Sequence, residues 1–349
     1  METTAVAGGD DLGERPRQAT VRDVAREANV STATVSRVTS NKGYPVSAAA
    51  RARVLEAVSR LGYSPNDLAR SLLQERTFTV GVVVPDLSNP HHPDIVRGVE
   101  ETAAANGYSV QFCSTDNEPD RLASYLDQMA SKRVDGIILA GGGLDPDRAL
   151  GAIGPFRMRT IVVGRYSNSV FPSVESDNRA AGQLATRHIL ELGHRRLGAI
   201  TGPATATASA DRLAGALEVL KEFGLTSRAT SVVESDFSAE GGYAAAKKLL
   251  KRKSPPTAII ASNDAMAIGA MAAAADMGLG VPNDLAVMGY DDIVTARFLR
   301  PSLTTIALPT HEMGSTAMSL LMQLIDGEAV PQRTILGVDL VVRQSTTGR

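Results

Sequence analysis

Thr20–Arg37 reads TVRDVAREANVSTATVSR, two short helical patterns joined by a tight corner. Thr20 with Asp23 three residues later has the spacing of a capping box, and Val21, Val24, Ala25 and Ala28 give the first pattern an apolar inward face. Ser31 stands where it can cap a second helix starting at about Thr32. Val35 and Val38 then pack against the first helix, which turns Thr32, Ala33, Thr34, Ser36 and Arg37 outward. A helix that begins with small polar side chains and carries an arginine fits the major groove of DNA, where its N-terminal residues meet base edges and phosphates. The stretch reads as a helix-turn-helix.

Working outward, Asn41-Lys42-Gly43-Tyr44-Pro45 reads as a turn and Ser47 as the cap of a third helix, with Val54, Leu55, Val58 and Leu61 at helical spacing and Gly62 as its stop. Three helices complete a small head over 20–64. Residues 1–19, rich in Gly, Ala, Asp and Thr without periodicity, are expected to be a disordered leader. Residues 65–76 are a linker with room for one or two helical turns. From 77 onward, short β-branched runs alternate with amphipathic helices that close at glycines such as Gly107, Gly193, Gly224 and Gly278. The runs include TVGVVV at 79–84, DGIIL at 135–139, TIVVG at 160–164, LGAI at 197–200, TAIIA at 257–261 and LAVMGY at 285–290. Such alternation over more than 200 residues predicts parallel sheets covered on both faces, and about ten strands divide into two sheets more naturally than one.

The 349 residues suggest two to three domains, and 43% hydrophobic content suffices for a large core. Net charge is only −2, yet Arg15–Arg76 carries +6 and the remainder −8, a basic head on an acidic body. Neither a basic start joined to an apolar run nor a stretch of roughly 20 apolar residues occurs, so a cytoplasmic protein without membrane contact is expected. The single Cys113, in the apolar-rich segment YSVQFC, excludes disulfides within one chain and is expected to be buried and inert. Enzyme signatures are missing: there is no G-x-G-x-x-G after the first strand, no Walker loop, no G-x-S-x-G elbow and no spaced metal cluster. Gly141-Gly142-Gly143 leads into Leu144-Asp145-Pro146 and reads as a loop, and His91, His92 and Asp94 lack zinc spacing, so no metal, no cofactor and no enzyme activity are expected.

With these residues in view, the chain resembles the lactose-repressor/galactose-repressor family of bacterial transcription regulators over residues 20–346. TVRDVAREANVSTATVSRV is similar to that family's helix-turn-helix, GYSPNDLARSL to its hinge, and VDGIIL and SDNRAAGQLATRHILELGHRRLGAITGP to its core. SNDAMAIGAM, VMGYDD, LTTI and VRQST follow in the family's order. The resemblance implies an α/β fold: a three-helix head, a hinge helix, then a core of two Rossmann-like subdomains like periplasmic binding proteins, with an effector in the cleft between them. It places the N-terminal subdomain at about 77–176 plus 307–332, and the other at 177–306 plus 333–349. It also implies a homodimer whose two heads read a near-palindromic operator.

Residue by residue, the resemblance assigns DNA contact to Thr20, Ser31, Thr32, Ala33, Thr34, Ser36, Arg37, Asn41, Tyr63 and Asn66, with Ala69 packing beside Leu72 and Leu72 inserting from the minor groove. Thr32 and Ala33 stand where the lactose repressor has larger polar residues, which implies a different half-site. Effector contact falls to His91, His92, Arg165, Arg212, Phe237, Asn263 and Asp291. Two departures bear on the ligand. Asn89-Pro90-His91-His92 stands where many relatives have NPFF, and Gly164-Arg165 where many have Asp-Arg. Arginine, carboxylate and an aromatic face suit a polyhydroxy or heterocyclic compound. The expected function is a nucleoid-associated repressor released by a sugar-like inducer, the alternatives being a corepressor-dependent regulator with a purine or nucleoside ligand and a solute-binding protein.

Overall fold

The computed structural model describes residues 19–39, 45–63, 76–141, 154, 159–164 and 170–347. Expectations for the leader before residue 19, for the hinge over 65–75, and for Asn41, Asn66, Ala69, Leu72, Gly142, Gly143 and Arg165 lie outside the described residues. The chain divides into two compact units, residues 1–75 and 76–349.

The head is three helices, α1 (Val21–Glu27), α2 (Thr32–Thr39) and α3 (Ala48–Leu61). Thr20 and Asp23 form the capping box: Asp23 accepts from the Thr20 amide at 2.9 Å, and its own amide donates to Thr20 Oγ1 at 3.4 Å. Asn29, at φ 49°, turns the corner to α2, whose first turn is capped by Ser31 Oγ accepting from the Thr34 amide at 3.1 Å. Ser47 caps α3, and Gly62 ends it in the left-handed region. Val24, Ala25, Ala28, Val35, Val38, Val54 and Ala57 form a core in which no side chain is more than 7% exposed. Leu55, expected on the inward face, is 50% exposed. Positions 54, 57, 58 and 61 keep one helical stripe, and 55 falls about 100° away from 54. Arg53 Nε donates to the Ala28 carbonyl at 3.1 Å and Arg60 pairs with Glu27, fixing α3 to α1.

The second unit contains two six-stranded sheets. The first holds β1 (Thr79–Val84), β2 (Ser109–Ser114), β3 (Gly136–Ala140), β4 (Thr160–Val163), β5 (Ser173–Ser176) and β11 (Arg333–Leu336), in the order β11-β5-β4-β3-β1-β2, all parallel. The second holds β6 (Leu197–Thr201), β7 (Thr230–Glu234), β8 (Ala258–Ala261), β9 (Ala286–Asp291), β10 (Thr304–Ala307) and β12 (Asp339–Val341), in the matching order β12-β10-β9-β8-β6-β7. Only β12 runs antiparallel. The central strands are buried along their length because helices cover both faces. Helices α4 (His91–Ala105) and α10 (Thr310–Ile325) cover one face of the first sheet and α5 (Pro119–Ser131) the other. Helices α6 (Asn178–Glu191) and α7 (Thr207–Glu222) cover one face of the second, α8 (Ala239–Leu250) and α9 (Asp264–Asp276) the other. A short α11 (Gln344–Thr347) docks beside β9 and β10 through Ser345, whose Oγ donates to the Val287 carbonyl at 2.5 Å and accepts from the Thr304 amide at 2.8 Å.

The chain passes between the sheets three times, after Ser176, after Ala307 and after Leu336. The last two differ from expectation. Ala307 ends β10 of the second sheet rather than opening the return to the first, and residues 333–336 are β11, the edge strand of the first sheet. The reason is a pairing the apolar pattern does not reveal: Arg333 reaches the buried Glu175 of β5 through Nε at 2.9 Å and Nη2 at 2.8 Å.

Three helix pairs share one packing device. A Cβ on Gly98 of α4 would overlap the His311 carbonyl of α10, and one on Gly314 would overlap the Ile95 carbonyl in return. Gly182 and Gly215 meet the Arg212 and Arg179 carbonyls between α6 and α7, and Gly242 and Gly269 meet the backbone of Met266 and Ala239 between α8 and α9. Gly215→Ala is therefore expected to cost about 1–3 kcal/mol in urea unfolding of the core, the usual penalty of overpacking. Gly337→Ala, whose added methyl meets nothing within 4 Å, should stay within about 0.5 kcal/mol of wild type. Equal stability of the two variants would mean that the helices separate freely.

Candidate functional site

On the head, α2 exposes Thr32, Ala33, Ser36 and Arg37, while Thr34 is half-buried with its hydroxyl 2.9 Å from Ser31 Oγ. Thr20 and Ser31 are occupied as caps. Tyr63 packs against the head core, its amide donates to the Val58 carbonyl at 3.0 Å, and burial raises its hydroxyl pKa. The exposed face of α2 is thus the four residues Thr32, Ala33, Ser36 and Arg37, which point away from the head core.

The core holds a cleft of about 700 Å³. Its walls are strand ends and the turns that follow them: Asp86 after β1, Gly141 after β3, Gly164 after β4, Phe237 after β7, Asn263 after β8 and Asp291 closing β9. Parallel strands of a doubly wound sheet place ligands outside their carboxyl ends, where neighbouring crossovers diverge. Both sheets aim those ends into one cleft. His91, His92, Arg212, Phe237, Asn263 and Asp291 all line it.

His91 and His92 open α4 from the first subdomain. His92 is 6% exposed, and its Nδ1 lies 2.7 Å from the Asp86 carbonyl, which can only accept, so Nδ1 carries the proton. Burial first, and the neighbouring His91 second, lower its pKa to about 4. This ring is neutral, with Nε2 left as an acceptor. His91 reaches across the cleft to 3.2 Å between its Nδ1 and Asp291 Oδ1, without the angle of a hydrogen bond.

Arg212 is 7% exposed. Its Nε donates to Asn178 Oδ1 at 2.9 Å, Nη1 donates to the Ser262 carbonyl, and the guanidinium lies 4.5 Å from the Tyr290 ring centroid. No carboxylate among the described residues stands within ion-pair distance of it. Tyr290, fully buried, has its pKa pushed up to about 12 by that burial. Asn178, Ser262 and Tyr290 escaped the sequence reading because their part here is to hold the arginine, although Asn178 and Ser262 also line the cleft. Their trace in the sequence was position alone, inside SDNRAAG, SNDAM and VMGYDD.

Phe237 sits at φ 68° with its ring against Gly202, where no side chain would fit. Asn263 holds it there: Nδ2 donates to the Phe237 carbonyl at 2.9 Å while Oδ1 caps α9 by accepting from the Met266 amide at 2.8 Å. Expected as a ligand contact, Asn263 spends its amide on positioning the ring. Asp291 (φ 116°) and Asp292 (φ 56°) form a strained turn. Arg343 pairs with Asp292 at 2.5 Å, and Asp264 behind the turn bonds the Ile293 amide at 3.0 Å and Thr305 Oγ1 at 2.6 Å. Burial, then the charge of Asp291, hold Asp264 well above the usual carboxylate range. The Asp291 carboxylate accepts no hydrogen bond from the described residues, although its side chain is only 6% exposed. Cys113 is half-buried rather than enclosed, with its thiol pKa raised by desolvation. Among the described residues no cluster could hold a metal, and no helix is long and apolar enough to cross a membrane.

A helix-turn-helix joined to a two-lobed ligand cleft defines a ligand-responsive, DNA-binding transcription regulator. Residues 20–66 match the bacterial regulatory proteins of the lacI family, and residues 186–346 a periplasmic binding protein-like domain. The ribose operon repressor of Halalkalibacterium halodurans is 38% identical over 94% of this chain and 97% of its own length. The HTH-type transcriptional repressor PurR of Edwardsiella ictaluri is 36% identical over 91% of this chain and 93% of its own. A crystal structure of the lac repressor dimer bound to operator and the anti-inducer ONPF superposes with a TM-score of 0.84 at 30% identity, covering 95% of this chain and 99% of that one. The chain belongs to the lacI family of bacterial regulatory proteins, a family of transcription repressors and not of enzymes.

The depressed pKa of His92 sets a pH dependence. Unfolded, the imidazole takes up its proton near 6.5; folded, it does so near 4, so the stabilisation is present above 6.5 and is lost as pH falls toward 4. Between pH 7 and 4 the wild-type core should lose about 3 kcal/mol relative to His92→Phe in paired urea titrations. Parallel curves would show that His92 takes up its proton at the same pH folded as unfolded.

Proposed function

We propose that this regulator is a repressor whose cleft takes a polyhydroxy, sugar-like effector, and that effector binding releases the operator. The observation that carries this is the pairing in one cleft of two charged side chains that lack a charge-matched hydrogen bond. Arg212 is a buried donor whose partners among the described residues are all neutral, and Asp291 is a carboxylate that accepts no hydrogen bond from them, with His91 Nδ1 3.2 Å away. A compound with several hydroxyls answers both, since each hydroxyl donates and accepts. Phe237 offers a flat apolar face to its C–H side, and His92 a further acceptor. The ribose operon repressor among the relatives supports a sugar.

The operator is read as a near-palindrome by a homodimer in the cytoplasm, associated with the nucleoid. Thr32, Ala33, Ser36 and Arg37 contact bases or phosphates in each half-site, and Asn41, Asn66 and Leu72 contribute from the turn and hinge. The lac repressor dimer on its operator supports this arrangement, as do Val294 and Phe298, two apolar side chains of the core that are 67% and 68% exposed. A second copy covers them. Phe298→Asp should shift sedimentation of the protein toward monomer, and an unchanged dimer would remove this face from the interface.

The decisive test is selection of genomic DNA fragments by the purified protein at near-physiological salt, with and without a mixed carbohydrate and nucleoside pool. Salt must be held there because phosphate contacts alone bind DNA tightly when it is low. A near-palindrome enriched without the pool and lost with it is expected. Enrichment only with the pool would establish a corepressor, and none in either condition would overturn the proposal. Arg37→Ala should lose discrimination at one base pair by about 1–3 kcal/mol. With the compound that releases the operator in hand, Asp291→Asn should weaken its binding roughly 10- to 100-fold, the worth of a hydrogen bond to a charged group. An unchanged affinity would take Asp291 out of the ligand site.

A further inference from the structure

The chain enters the core at Arg76, and residues 76–78 are held there in an unusual way. Asp135, in the VDGIIL segment just before β3, is 2% exposed and faces no cation in ion-pair contact among the described residues. Its carboxylate is instead spent on the entering chain. Oδ1 accepts from the Thr77 amide at 2.8 Å and from Thr77 Oγ1 at 3.1 Å, and Oδ2 accepts from the Phe78 amide at 2.9 Å. Thr77 Oγ1 also reaches the Arg133 carbonyl at 2.9 Å. Phe78 stands at φ 52°, a left-handed conformation that a bulky residue adopts only when its surroundings impose it, and its ring is 5.4 Å from that of Tyr108. One residue earlier, Arg76 pairs with Asp326 at 2.7 Å and donates to the Ile325 carbonyl at 3.1 Å, gripping the C-terminal end of α10.

The opposite end of α10 is at the cleft. Met313 and the preceding Leu308 line it, and Thr310 Oγ1 donates to Asp94 Oδ2 of α4 at 2.6 Å, within a turn of His91 and His92. Sixteen helical residues span about 24 Å, and the reciprocal contacts of Gly98 and Gly314 make α4 and α10 one rigid piece. The second and third passages of the chain between the sheets lie on either side of α10 in sequence.

We propose that Asp135, with Arg76 and Asp326, forms a clamp that fixes the root of the linker to the first subdomain, so that any rotation of this subdomain about the cleft is delivered to residues 64–75 as a change in their starting position and direction. The three are positioning residues. None touches the effector, and none belongs to the DNA-reading face. This rests on the regulatory reading above, because the rotation it transmits is the one effector binding drives. The carboxylate of Asp135 carries most of the clamp: it is buried, accepts from two backbone amides and shares the Thr77 hydroxyl proton with the Arg133 carbonyl, whereas Arg76 and Asp326 form a half-exposed pair of the kind that contributes little alone.

The test uses the full-length protein, the operator fragment recovered by genomic selection and the compound that releases it. In wild type, Asp135→Asn and Asp135→Ala, three quantities are measured: effector affinity, operator affinity without effector, and the ratio of operator affinities without and with it. The clamp is expected to leave effector affinity within threefold of wild type while the ratio falls at least fivefold toward one. A ratio that stays at the wild-type value overturns the clamp. A wild-type protein that shows no ratio at all overturns the regulatory reading and the clamp with it, so the two failures are distinguishable. Should the Asp135 variants not fold, Arg76→Ala serves at the exposed end, with a smaller fall of the ratio expected and no fall overturning the shared role of that pair. Hydrogen exchange of the Thr77 and Phe78 amides in ligand-free wild type needs neither operator nor effector. Protection comparable to the amides of β1 is expected, and exchange at the rate of an open chain would overturn the clamp outright.

Discussion

Close approach of helix backbones is the constraint on which the core depends. In each of its three principal helix pairs a glycine on one helix lies against a carbonyl or Cα of the other, and the contact is returned by a second glycine. Four segments that carry cleft side chains are fixed within a turn or so of such a contact. Gly182 rests on the backbone of Arg212 itself, Gly242 on that of Met266 three residues after Asn263, and Gly269 on that of Ala239 two residues after Phe237. Gly314 meets Ile95, one turn beyond His91. Packed interiors tolerate little displacement, so the cleft groups are held by the same contacts that hold the sheets together. The two lobes themselves are joined by three passages of the chain.

Against that rigid frame, the cleft concentrates several locally unfavourable features. Phe237, Asp291 and Asp292 all have positive φ, a buried guanidinium lacks a carboxylate, and Asp291 stands close enough to Asp264 to disfavour the ionisation of that buried carboxyl. Each of these is unfavourable alone, by about 1–3 kcal/mol for a strained backbone residue. Each is offset by dedicated neighbours: Asn263 for Phe237, Arg343 and Asp264 for the turn, Asn178, Ser262 and Tyr290 for Arg212. Asn263 shows how this blurs the line between binding and support, since a residue that lines the cleft uses its amide to aim a ring and start a helix.

The same distinction explains what could be read in the sequence. The head was legible to single residues, because caps and apolar spacing act within one turn and Thr20, Asp23, Ser31, Ser47 and Gly62 each decide a helix end locally. Central strands were legible as unbroken apolar runs. Edge and linking strands were not. β5 reads Ser-Val-Glu-Ser and is fully buried only because Ser173 and Arg333 satisfy Glu175, a partnership between positions 158 residues apart. That one hidden pair also displaced the expected third passage between lobes. Leu55 failed for a simpler reason, the wrong choice between two adjacent positions for one stripe. In the cleft the residue types were legible and their partners were not: nothing in Asn89-Pro90-His91-His92 shows that the second ring is pinned to Asp86 and the first faces Asp291.

What joins these levels is the modest size of the energies involved. A connecting segment of about a dozen residues is too short to be a stable helix by itself, because nucleation fixes several residues before the first hydrogen bonds repay it. In the proposed regulation, the order of such a segment is decided by a few kcal/mol supplied from outside. An effector that prefers one lobe arrangement by roughly 5 kcal/mol can move a two-state equilibrium almost completely, and a weaker preference moves it in part. The two magnitudes match, so a small polar molecule is able to govern a much larger protein–DNA contact without touching it. Matching alone is not sufficient. If the root of the segment were loose, lobe rotation would be absorbed within a residue or two, and the preference of the effector would never reach the DNA. A rigid core, a marginal connector and a firm root between them are therefore one requirement. The buried carboxylate of Asp135, turned toward the entering backbone rather than toward a cation, is its most local expression.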